Sequence, residues 1–230
     1  EHAIEQLAEK STQWPKLHVV VGYPRLAENN RVNDWAIAHN SAAIINNGVL
    51  IGKYDKRQLP NYAVFDEWRN YVPGEKPFTF EINQTRLSVM ICEDIWRPQG
   101  PVENLKGEAD VCLVLNGSPY EEGKNELRRA IAERVATTQD VALVYANLTG
   151  GQDDLVFDGD SFILDNQGRQ TTQAEIFSEQ TLIAENEKQD STSLPSQLAR
   201  NWDAIVLGLS DYVEKNNIPG LVLGLSGGID

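Results

Sequence analysis

The sequence predicts an α/β protein in which helices cover packed β-sheets. Short apolar runs rich in branched residues, which are typical of buried strands, recur along the chain, for example at 17–22 and 109–115. They alternate with stretches such as 124–138, in which apolar residues recur at helical spacing. Turn sequences at 46–48 and 83–84 join neighbouring strands into hairpins. Strands that alternate with helices in this way are typical of layered α/β folds.

The first half of the chain is predicted to consist mainly of strands. A helix at 3–13 ends before Pro15, because proline cannot continue it. The strands that follow are predicted at 17–22, 40–45, 48–54, 78–82 and 86–91. Asn46-Asn47-Gly48 supplies residues that tolerate a left-handed backbone, which favours a tight hairpin between the second and third strands. Residues 56–74 are predicted to form a long polar and aromatic loop.

The second half alternates more regularly between helix and strand. The predicted elements are a short helix at 102–106, a strand at 109–115, a helix at 124–138, a strand at 141–147 and a hairpin beginning at 160–165. In the helix at 124–138, Leu127, Ala130, Ile131 and Val135 lie at helical spacing and are the predicted buried face.

The last fifty residues are predicted to leave this domain. Residues 178–197 are polar, which is typical of an interdomain linker. An amphipathic helix is predicted at 198–216, with one apolar face formed by Trp202, Ile205, Val206, Leu209 and Val213. An apolar strand from Leu221 then runs into Ser226-Gly227-Gly228, where consecutive N–H groups can face an anion. The predicted units are therefore a domain at 1–177, a linker at 178–197 and the start of a second domain at 198–230.

The charge of the chain excludes some classes of partner. The 230 residues carry a formal net charge of −14, which argues against sequence-independent binding of nucleic acid and against an anionic membrane surface. No apolar run is long enough to span a bilayer. Two cysteines, Cys92 and Cys112, are too few for a disulfide framework in a chain of this length, which favours the cytoplasm.

Cys92 is the candidate nucleophile. It ends an apolar strand, and strand ends in α/β folds are where catalytic groups usually lie. A cysteine at such a position reacts when a nearby cation stabilises its thiolate. The alternative is a buried structural cysteine, and Cys112, inside the apolar run at 109–115, illustrates that case.

Four motifs occur in an order that resembles a known family. They are Lys56-x-x-Leu-Pro-Asn-Tyr62, Val64-Phe-Asp-Glu67, Cys92-Glu-Asp-Ile-Trp96 and Asn116-Gly-Ser-Pro-Tyr120. The set resembles the nitrilase (carbon–nitrogen hydrolase) superfamily, and within it the glutamine-hydrolysing domain of the glutamine-dependent NAD synthetase family. The resemblance implies a four-layer αββα sandwich of the nitrilase type. It further implies that the C-terminal residues are the first helix and strand of a doubly wound α/β ATP-pyrophosphatase domain.

The resemblance also implies roles for individual residues. Cys92 would attack the amide, Lys56 would stabilise the oxyanion, and Glu67 would be a further glutamate that orients groups or transfers protons near the site. Tyr62, Ser118 and Lys124 would hold glutamine. The alternatives are a surface charge for Glu67, a turn residue before proline for Ser118, and a solvated cation for Lys124. Family members often carry arginine at the position of Lys124, and lysine cannot form the same bidentate contact with a carboxylate.

The family's triad contains one residue that this sequence does not supply. The resemblance places the general-base glutamate upstream of residue 1, in a Pro-Glu motif. Glu1, Glu5 and Glu9 belong to the first predicted helix and do not match that motif. The expectation is therefore that residues 1–230 by themselves do not hydrolyse glutamine usefully.

The C-terminal motif implies the use of ATP. Ser226, Gly227, Gly228 and Asp230 resemble the family's pyrophosphate loop, where Mg²⁺ would balance the phosphate charge. The implied function is a ligase that takes glutamine, ATP and nicotinic acid adenine dinucleotide as substrates and works as a homo-oligomer. Two alternatives stay open: a stand-alone amidase acting on a small amide, and a non-catalytic interaction module of the same fold.

Overall fold

A computed structural model describes residues 2–27, 38–184, 194–224 and 227 of the chain. The helices are α1 (His2–Ser11), α2 (Glu67–Asn70), α3 (Lys124–Gln139) and α4 (Gln197–Lys215), with 3-10 helices at Cys92–Ile95 and Pro101–Asn104. The strands are β1 (His18–Leu26), β2 (Ala38–Asn46), β3 (Val49–Asp55), β4 (Thr79–Ile82), β5 (Thr85–Ile91), β6 (Val111–Asn116), β7 (Ala142–Asn147), β8 (Thr149–Gln152), β9 (Leu155–Asp158), β10 (Phe162–Leu164) and β11 (Gln170–Gln173).

The strands form two main sheets and a separate hairpin. One sheet has three antiparallel strands in the order β1-β2-β3, and the other has six in the order β11-β10-β7-β6-β5-β4. In the larger sheet β5, β6 and β7 are parallel, because the 3-10 helices and α3 supply the crossovers that parallel neighbours require. β8 and β9 pair only with each other. The three parallel strands end at one edge of the sheet, where the candidate site lies.

The layers stack in the order helix, sheet, sheet, helix. α1 packs on β2 and β3, β2 faces β5 of the larger sheet, and α3 contacts β7 and β10. Alternation along β2 explains how it joins both interfaces: Ala43 and Ile45 pack with α1, whereas Ala42 and Ile44 belong to the main core. The predicted αββα sandwich is confirmed.

Both predicted tight hairpins are present. Asn47 and Gly48 join β2 to β3 with φ values of 44° and 84°, and Asn83 and Gln84 join β4 to β5 with φ values of 50° and 67°. Two consecutive left-handed residues match the right-handed twist of the flanking strands. The sequence therefore predicted both hairpins and the residues at which they turn.

The predicted buried face of α3 is only partly right: Val135 is buried and Ile131 packs against the core, but the other two residues face away. Leu127 is 48% exposed and Ala130 is also exposed, while Ile131 is half-buried. The positions that α3 buries are Asn125, Arg128, Ala132, Val135 and Ala136. Helical periodicity of apolar residues missed part of this face, because Asn125 and Arg128 are polar side chains whose hydrogen-bond partners lie in distant segments of the chain.

The helix predicted at 198–216 is confirmed as α4, but its apolar face is not the face that packs. Trp202 and Ile205 are each 68% exposed, whereas Arg200 and Ala204 are buried. α4 lies against the β8–β9 hairpin. A Cβ atom added to Gly151 would lie 3.0 Å from Gly208 Cα, so small residues on both elements permit the close approach.

The strand predicted from Leu221 is wrong within the residues described. Residues 221–224 have no regular secondary structure, and Val222 is fully exposed. A strand requires a hydrogen-bonded neighbour, and no described strand pairs with this segment. In the predicted linker, 178–184 has no helix or strand and 185–193 lies outside the described residues. The β8–β9 hairpin was not predicted, because the glycine-rich β8 (Thr149–Gln152) lacks apolar alternation.

No described helix has the length and apolar character needed to cross a bilayer.

Candidate functional site

Cys92 lies at a sharp turn between β5 and the 3-10 helix Cys92–Ile95. Its φ of 46° is left-handed, a conformation that costs a residue other than glycine about 1 kcal/mol or more. The turn is held by the Ile91 amide, which donates to Asp94 Oδ2 over 3.0 Å. Surroundings that impose such a conformation often do so at active sites, so this turn is the first indication that Cys92 has a chemical role.

Asp94 ties the segment after β3 to the Cys92 turn. Its fully buried carboxylate accepts from the Tyr54 hydroxyl at 2.8 Å and from the amides of Arg57 and Gln58 at 3.1 and 2.8 Å. Burial raises the pKa of this carboxyl, although these donors oppose the shift. Sequence reasoning quoted Asp94 as part of a motif but gave it no role. Its function in the fold is to hold Lys56, the residue before Arg57, beside Cys92.

Lys56 and Glu67 form an ion pair in which the lysine is buried and the glutamate is partly buried. Lys56 Nζ lies 2.8 Å from Glu67 Oε1, and the lysine is only 2% exposed. Asn40 Nδ2 lies 3.4 Å from the same carboxylate oxygen. The other oxygen, Glu67 Oε2, is buried and has no hydrogen-bond partner among the described residues. A buried ammonium is costly unless it is paired, and Glu67 supplies the counter-charge for Lys56 at this position.

The electrostatic surroundings of Cys92 act in opposite directions. Burial raises the pKa of its thiol to about 11, Lys56 lowers it, and the carboxylates of Glu93 and Glu67 add to the increase. At neutral pH the group is therefore a thiol, and its reaction with an electrophile requires a proton acceptor. Lys56 is the cation that favours the thiolate when the proton leaves.

Two cavities meet at Cys92. The lysine cavity, of about 480 Å³, is lined by Lys56, Glu67 and Cys92. The tyrosine cavity, of about 280 Å³, is lined by Tyr62, Ser118, Lys124 and Cys92. Phe65 also lines both cavities. The structure thus brings together all six residues that the sequence nominated for amide hydrolysis and glutamine binding.

The tyrosine cavity carries groups of both charges. Lys124 Nζ lies 3.2 Å from Glu121 Oε2 and 5.8 Å from the centre of the Phe65 ring. The Tyr62 hydroxyl donates to Glu93 Oε2 over 2.7 Å, and burial together with this bond raises the pKa of Tyr62. A cavity with an ammonium and carboxylates in its wall suits a zwitterionic ligand. Sequence reasoning missed Glu93, because nothing in the sequence shows that its side chain faces Tyr62.

Ser118 lines the tyrosine cavity and also has a structural role. Its hydroxyl accepts from Arg128 Nε at 3.1 Å and its carbonyl accepts from Arg128 Nη2 at 2.8 Å. Its amide donates to Asn147 Oδ1 over 2.9 Å. Arg128 also forms a bond of 2.8 Å to Asp158, and both side chains are buried. This network fixes the loop after β6 on the wall of the tyrosine cavity.

Replacing Arg128 with methionine is expected to lower the free energy of unfolding by about 3 kcal/mol, because Asp158 is left buried without its cation. Urea unfolding followed by circular dichroism measures the loss. Arg169→Met is the matched control: Arg169 pairs with Asp165 at the surface, and its loss is expected to cost less than about 1 kcal/mol. Equal losses of unfolding free energy in the two variants would contradict a stabilising role for the buried Arg128–Asp158 pair.

The raised thiol pKa predicts a pH profile. Alkylation of Cys92 by iodoacetamide is expected to accelerate about tenfold per pH unit between roughly pH 7 and pH 9, because the thiolate fraction grows in that proportion below a pKa of about 11. Mass spectrometry of the Cys92 peptide measures the rate, with the Cys112 peptide as an internal reference for a fully buried thiol. A plateau reached below about pH 8 would mean that the thiolate is stabilised more strongly than this geometry implies.

The predicted ATP-binding residues are not assembled in the described structure. Gly227 is described as an exposed bend, while Ser226, Gly228 and Asp230 lie outside the described residues. Within the described ranges, no three His, Cys, Asp or Glu side chains are arranged to hold a metal ion. Neither ATP nor Mg²⁺ is therefore assigned to a described side chain.

Comparison with known proteins gives a family match. The model of the carbon-nitrogen hydrolase family matches residues 3–196. Glutamine-dependent NAD(+) synthetase from Acinetobacter baylyi is 40% identical over an alignment of 199 positions, which covers 84% of this chain and 37% of that protein. The protein of the same name from Xylella fastidiosa is 37% identical over 92% of this chain and 39% of its own length. The chain thus spans well under half of the length of these relatives.

Solved structures agree with the fold. Glutamine-dependent NAD+ synthetase from Acinetobacter baumannii, in complex with ADP, superposes with a TM-score of 0.88 at 33% identity, over 99% of this chain and 44% of that one. A mutant amidase from Nesterenkonia superposes with a TM-score of 0.65 at 21% identity, over 76% of this chain and 63% of that one. At that identity the second likeness supports the fold alone.

Proposed function

The chain belongs to the carbon-nitrogen hydrolase family, and on that premise we propose that it is the glutamine-hydrolysing part of a glutamine-dependent NAD synthetase. The observation that carries this proposal is the convergence of Cys92, Lys56 and Glu67 on one cavity, with Cys92 held at a left-handed turn. The names of the relatives support the choice of glutamine as substrate and of NAD as product.

The proposed reaction passes through a thioester. Cys92 Sγ, having lost its proton, attacks the carbonyl carbon of the glutamine side-chain amide, and the developing oxyanion is stabilised by the Lys56 ammonium. The C–N bond then breaks, and ammonia leaves with an additional proton. Water attacks the thioester, releases glutamate and returns the proton to the thiol. Glu67 holds Lys56, and its unpartnered Oε2 is available for proton transfer. The general base is assigned to no described residue.

Recognition of glutamine is proposed for the tyrosine cavity. Lys124 faces the substrate carboxylate, and Tyr62 and Ser118 complete the wall beside Cys92. The ammonium of Lys124 contacts Glu121 and the face of Phe65. Because it is a lysine, it presents a point charge to the cavity and not the bidentate fork of an arginine.

The remainder of the proposed reaction uses ATP. Adenylylation would activate the carboxylate of nicotinic acid adenine dinucleotide, and the released ammonia would then displace AMP to form NAD. Ser226, Gly227, Gly228 and Asp230 are proposed to contact the ATP pyrophosphate, with Mg²⁺ as counter-ion. Residues 178–197 would link this second domain, beginning at 198, to the domain at 1–177. We further propose a cytoplasmic homo-oligomer, because ammonia has to be kept from bulk water and both cysteines are free thiols.

The experiment that tests the proposal measures NAD formation by the full-length protein. ATP, Mg²⁺ and nicotinic acid adenine dinucleotide are supplied with glutamine, with ammonia, or with neither. NAD formation from both donors supports the proposal. Release of ammonia from small amides without any NAD formation would replace it with the reading of a stand-alone amidase. The absence of both activities would favour a non-catalytic interaction module.

A further inference from the structure

Helix α4 contacts the wall of the tyrosine cavity directly. Glu121, Glu122 and Lys124 belong to that wall, and the segment that carries them is hydrogen-bonded to Asn201 of α4. Asn201 Oδ1 accepts from the Tyr120 hydroxyl at 2.6 Å, and Asn201 Nδ2 donates to Glu122 Oε1 at 2.5 Å. The Asn201 side chain therefore contacts both Tyr120, the residue before the wall, and Glu122, a residue of the wall.

Arg200 holds the other end of the same segment. Its guanidinium, whose side chain is 8% exposed, lies 3.3 Å from Glu126 Oε1 and donates to Gln197 Oε1 over 2.7 Å. It also approaches Asn125 Oδ1 at 3.5 Å. Asn125 and Glu126 follow Lys124, the first residue of α3, in the first turn of that helix. The contacts from α4 thus flank Lys124 in the chain on both sides.

The wall segment is anchored at its two ends, where the Tyr120 amide donates to the Val156 carbonyl over 2.7 Å and Asn125 Nδ2 donates to Asp158 Oδ2 over 2.7 Å, but its middle has little support of its own. Gly123, which precedes α3, adopts a left-handed φ of 76°, and no side chain caps the helix there. A Cβ atom added to Gly123 would meet nothing within 4 Å, and the Glu121 side chain is 71% exposed. A glycine with open space beside it does not restrict the backbone, so the position of Lys124 depends on its neighbours in the fold.

We propose that Asn201 and Arg200 are positioning residues that set the place of Lys124 in the tyrosine cavity. They touch neither the substrate nor Cys92, and they act through the segment 120–126. The affinity of the cavity for its amino-acid substrate then depends on the contacts that Asn201 and Arg200 make with the segment 120–126, whereas the chemistry at Cys92 does not. This inference rests on the proposed function, because it takes glutamine as the ligand of the cavity.

The opposite end of α4 provides a matched control. Lys215 bonds to the carbonyl of Gly151, and Asp211 of the same helix accepts from the Gly151 amide over 2.6 Å, so both residues secure the helix on the β8 strand. Among the described residues, no hydrogen bond or ion pair joins Lys215 to the segment 120–126. Lys215→Met therefore loosens the docking of the same helix without removing a contact to the cavity wall.

The test compares Asn201→Ala with Lys215→Met in the full-length protein. Asn201→Ala is expected to raise the KM for glutamine about tenfold with kcat nearly unchanged, because the lost bonds to a charged wall residue weaken binding more than chemistry. Lys215→Met is expected to leave KM within about twofold of wild type. NAD formation from ammonia is expected to be the same in all three proteins.

Protection of Cys92 from iodoacetamide supplies a readout that does not require turnover. The concentration of glutamine that halves alkylation is expected to rise about tenfold in Asn201→Ala, while the rate without glutamine stays at the wild-type value. Equal protection in Asn201→Ala and Lys215→Met overturns the positioning role. A wild-type protein that glutamine does not protect overturns the proposed function, and the inference with it.

A conservative variant guards against a protein that fails to fold. Asn201→Asp keeps the acceptor for the Tyr120 hydroxyl but sets a second carboxylate against Glu122. It is expected to raise the KM for glutamine at least as much as Asn201→Ala. An unchanged KM in a variant with a wild-type thermal unfolding midpoint would also overturn the proposal.

Discussion

Replacing Cys92 with alanine is expected to abolish glutamine-dependent NAD formation by the full-length protein while ammonia-dependent formation continues. No other described side chain in the two cavities is a comparable nucleophile, so the loss is expected to exceed about 10⁴-fold. The measurement is NAD produced from each donor under otherwise identical conditions. The same variant is expected to lose the pH-dependent alkylation at this position.

Cys112→Ala is the control for the loss of a buried thiol. Cys112 is fully buried inside β6, and burial raises the pKa of its thiol to about 12. Its substitution is expected to leave both donor-dependent rates near wild type. Retention of the glutamine-dependent rate in Cys92→Ala would remove Cys92 from the mechanism, and parallel loss of both rates would point to damage beyond the glutaminase site.

Replacing Lys56 with methionine is expected to lower kcat for glutamine hydrolysis about 10³-fold, because one cation both stabilises the oxyanion and favours the thiolate. The thiol pKa of Cys92, about 11 in the wild type, is expected to rise further when the nearby cation that lowers it is removed. Alkylation by iodoacetamide at about pH 8 is therefore expected to slow as well. Steady-state kinetics and the alkylation rate measure the two effects separately.

The Lys56 variant leaves the partly buried Glu67 carboxylate beside an apolar side chain, so its fold is checked first by thermal unfolding. The double variant Lys56→Met/Glu67→Gln removes both charges, and is expected to recover stability without recovering kcat. Lys106→Met, at an exposed lysine, is the control and is expected to behave like wild type. Recovery of kcat in the double variant would mean that Lys56 matters for stability alone.

The strand pattern near the candidate site was predictable because its signals are local. Asn47-Gly48 and Asn83-Gln84 show in the sequence where two hairpins turn, and the apolar run before Cys92 places that residue at a strand end. The order of the motifs nominated Lys56 and Tyr62 by resemblance. The roles of these residues stay predictions, while their meeting around two cavities is an observation.

Periodicity failed where polar side chains replace apolar ones in the interior. Arg128 is buried on α3 because Asp158, thirty positions later in the chain, neutralises it. Arg200 is buried on α4, where its guanidinium is hydrogen-bonded to Glu126 and Asn125. Trp202 and Ile205 of the same helix remain exposed. A pattern of apolar residues contains no information about such long-range compensation, since a buried charge is stable only beside its partner.

The sequence by itself therefore determined the αββα layering, the strand at whose end Cys92 lies, and the family to which the chain belongs, since these depend on short-range turns, alternation and motif order. Only the tertiary structure decided the left-handed turn at Cys92, the burial of Lys56 against Glu67, and the contact of α4 with the cavity wall. The contact of α4 joins segments that are distant in the chain, and Asp94 ties the Cys92 turn to the segment after β3. All three features depend on desolvated polar groups finding partners. Which polar groups are buried together is a property of the assembled fold, because the short-range pattern of a segment does not specify the partner of a buried polar side chain.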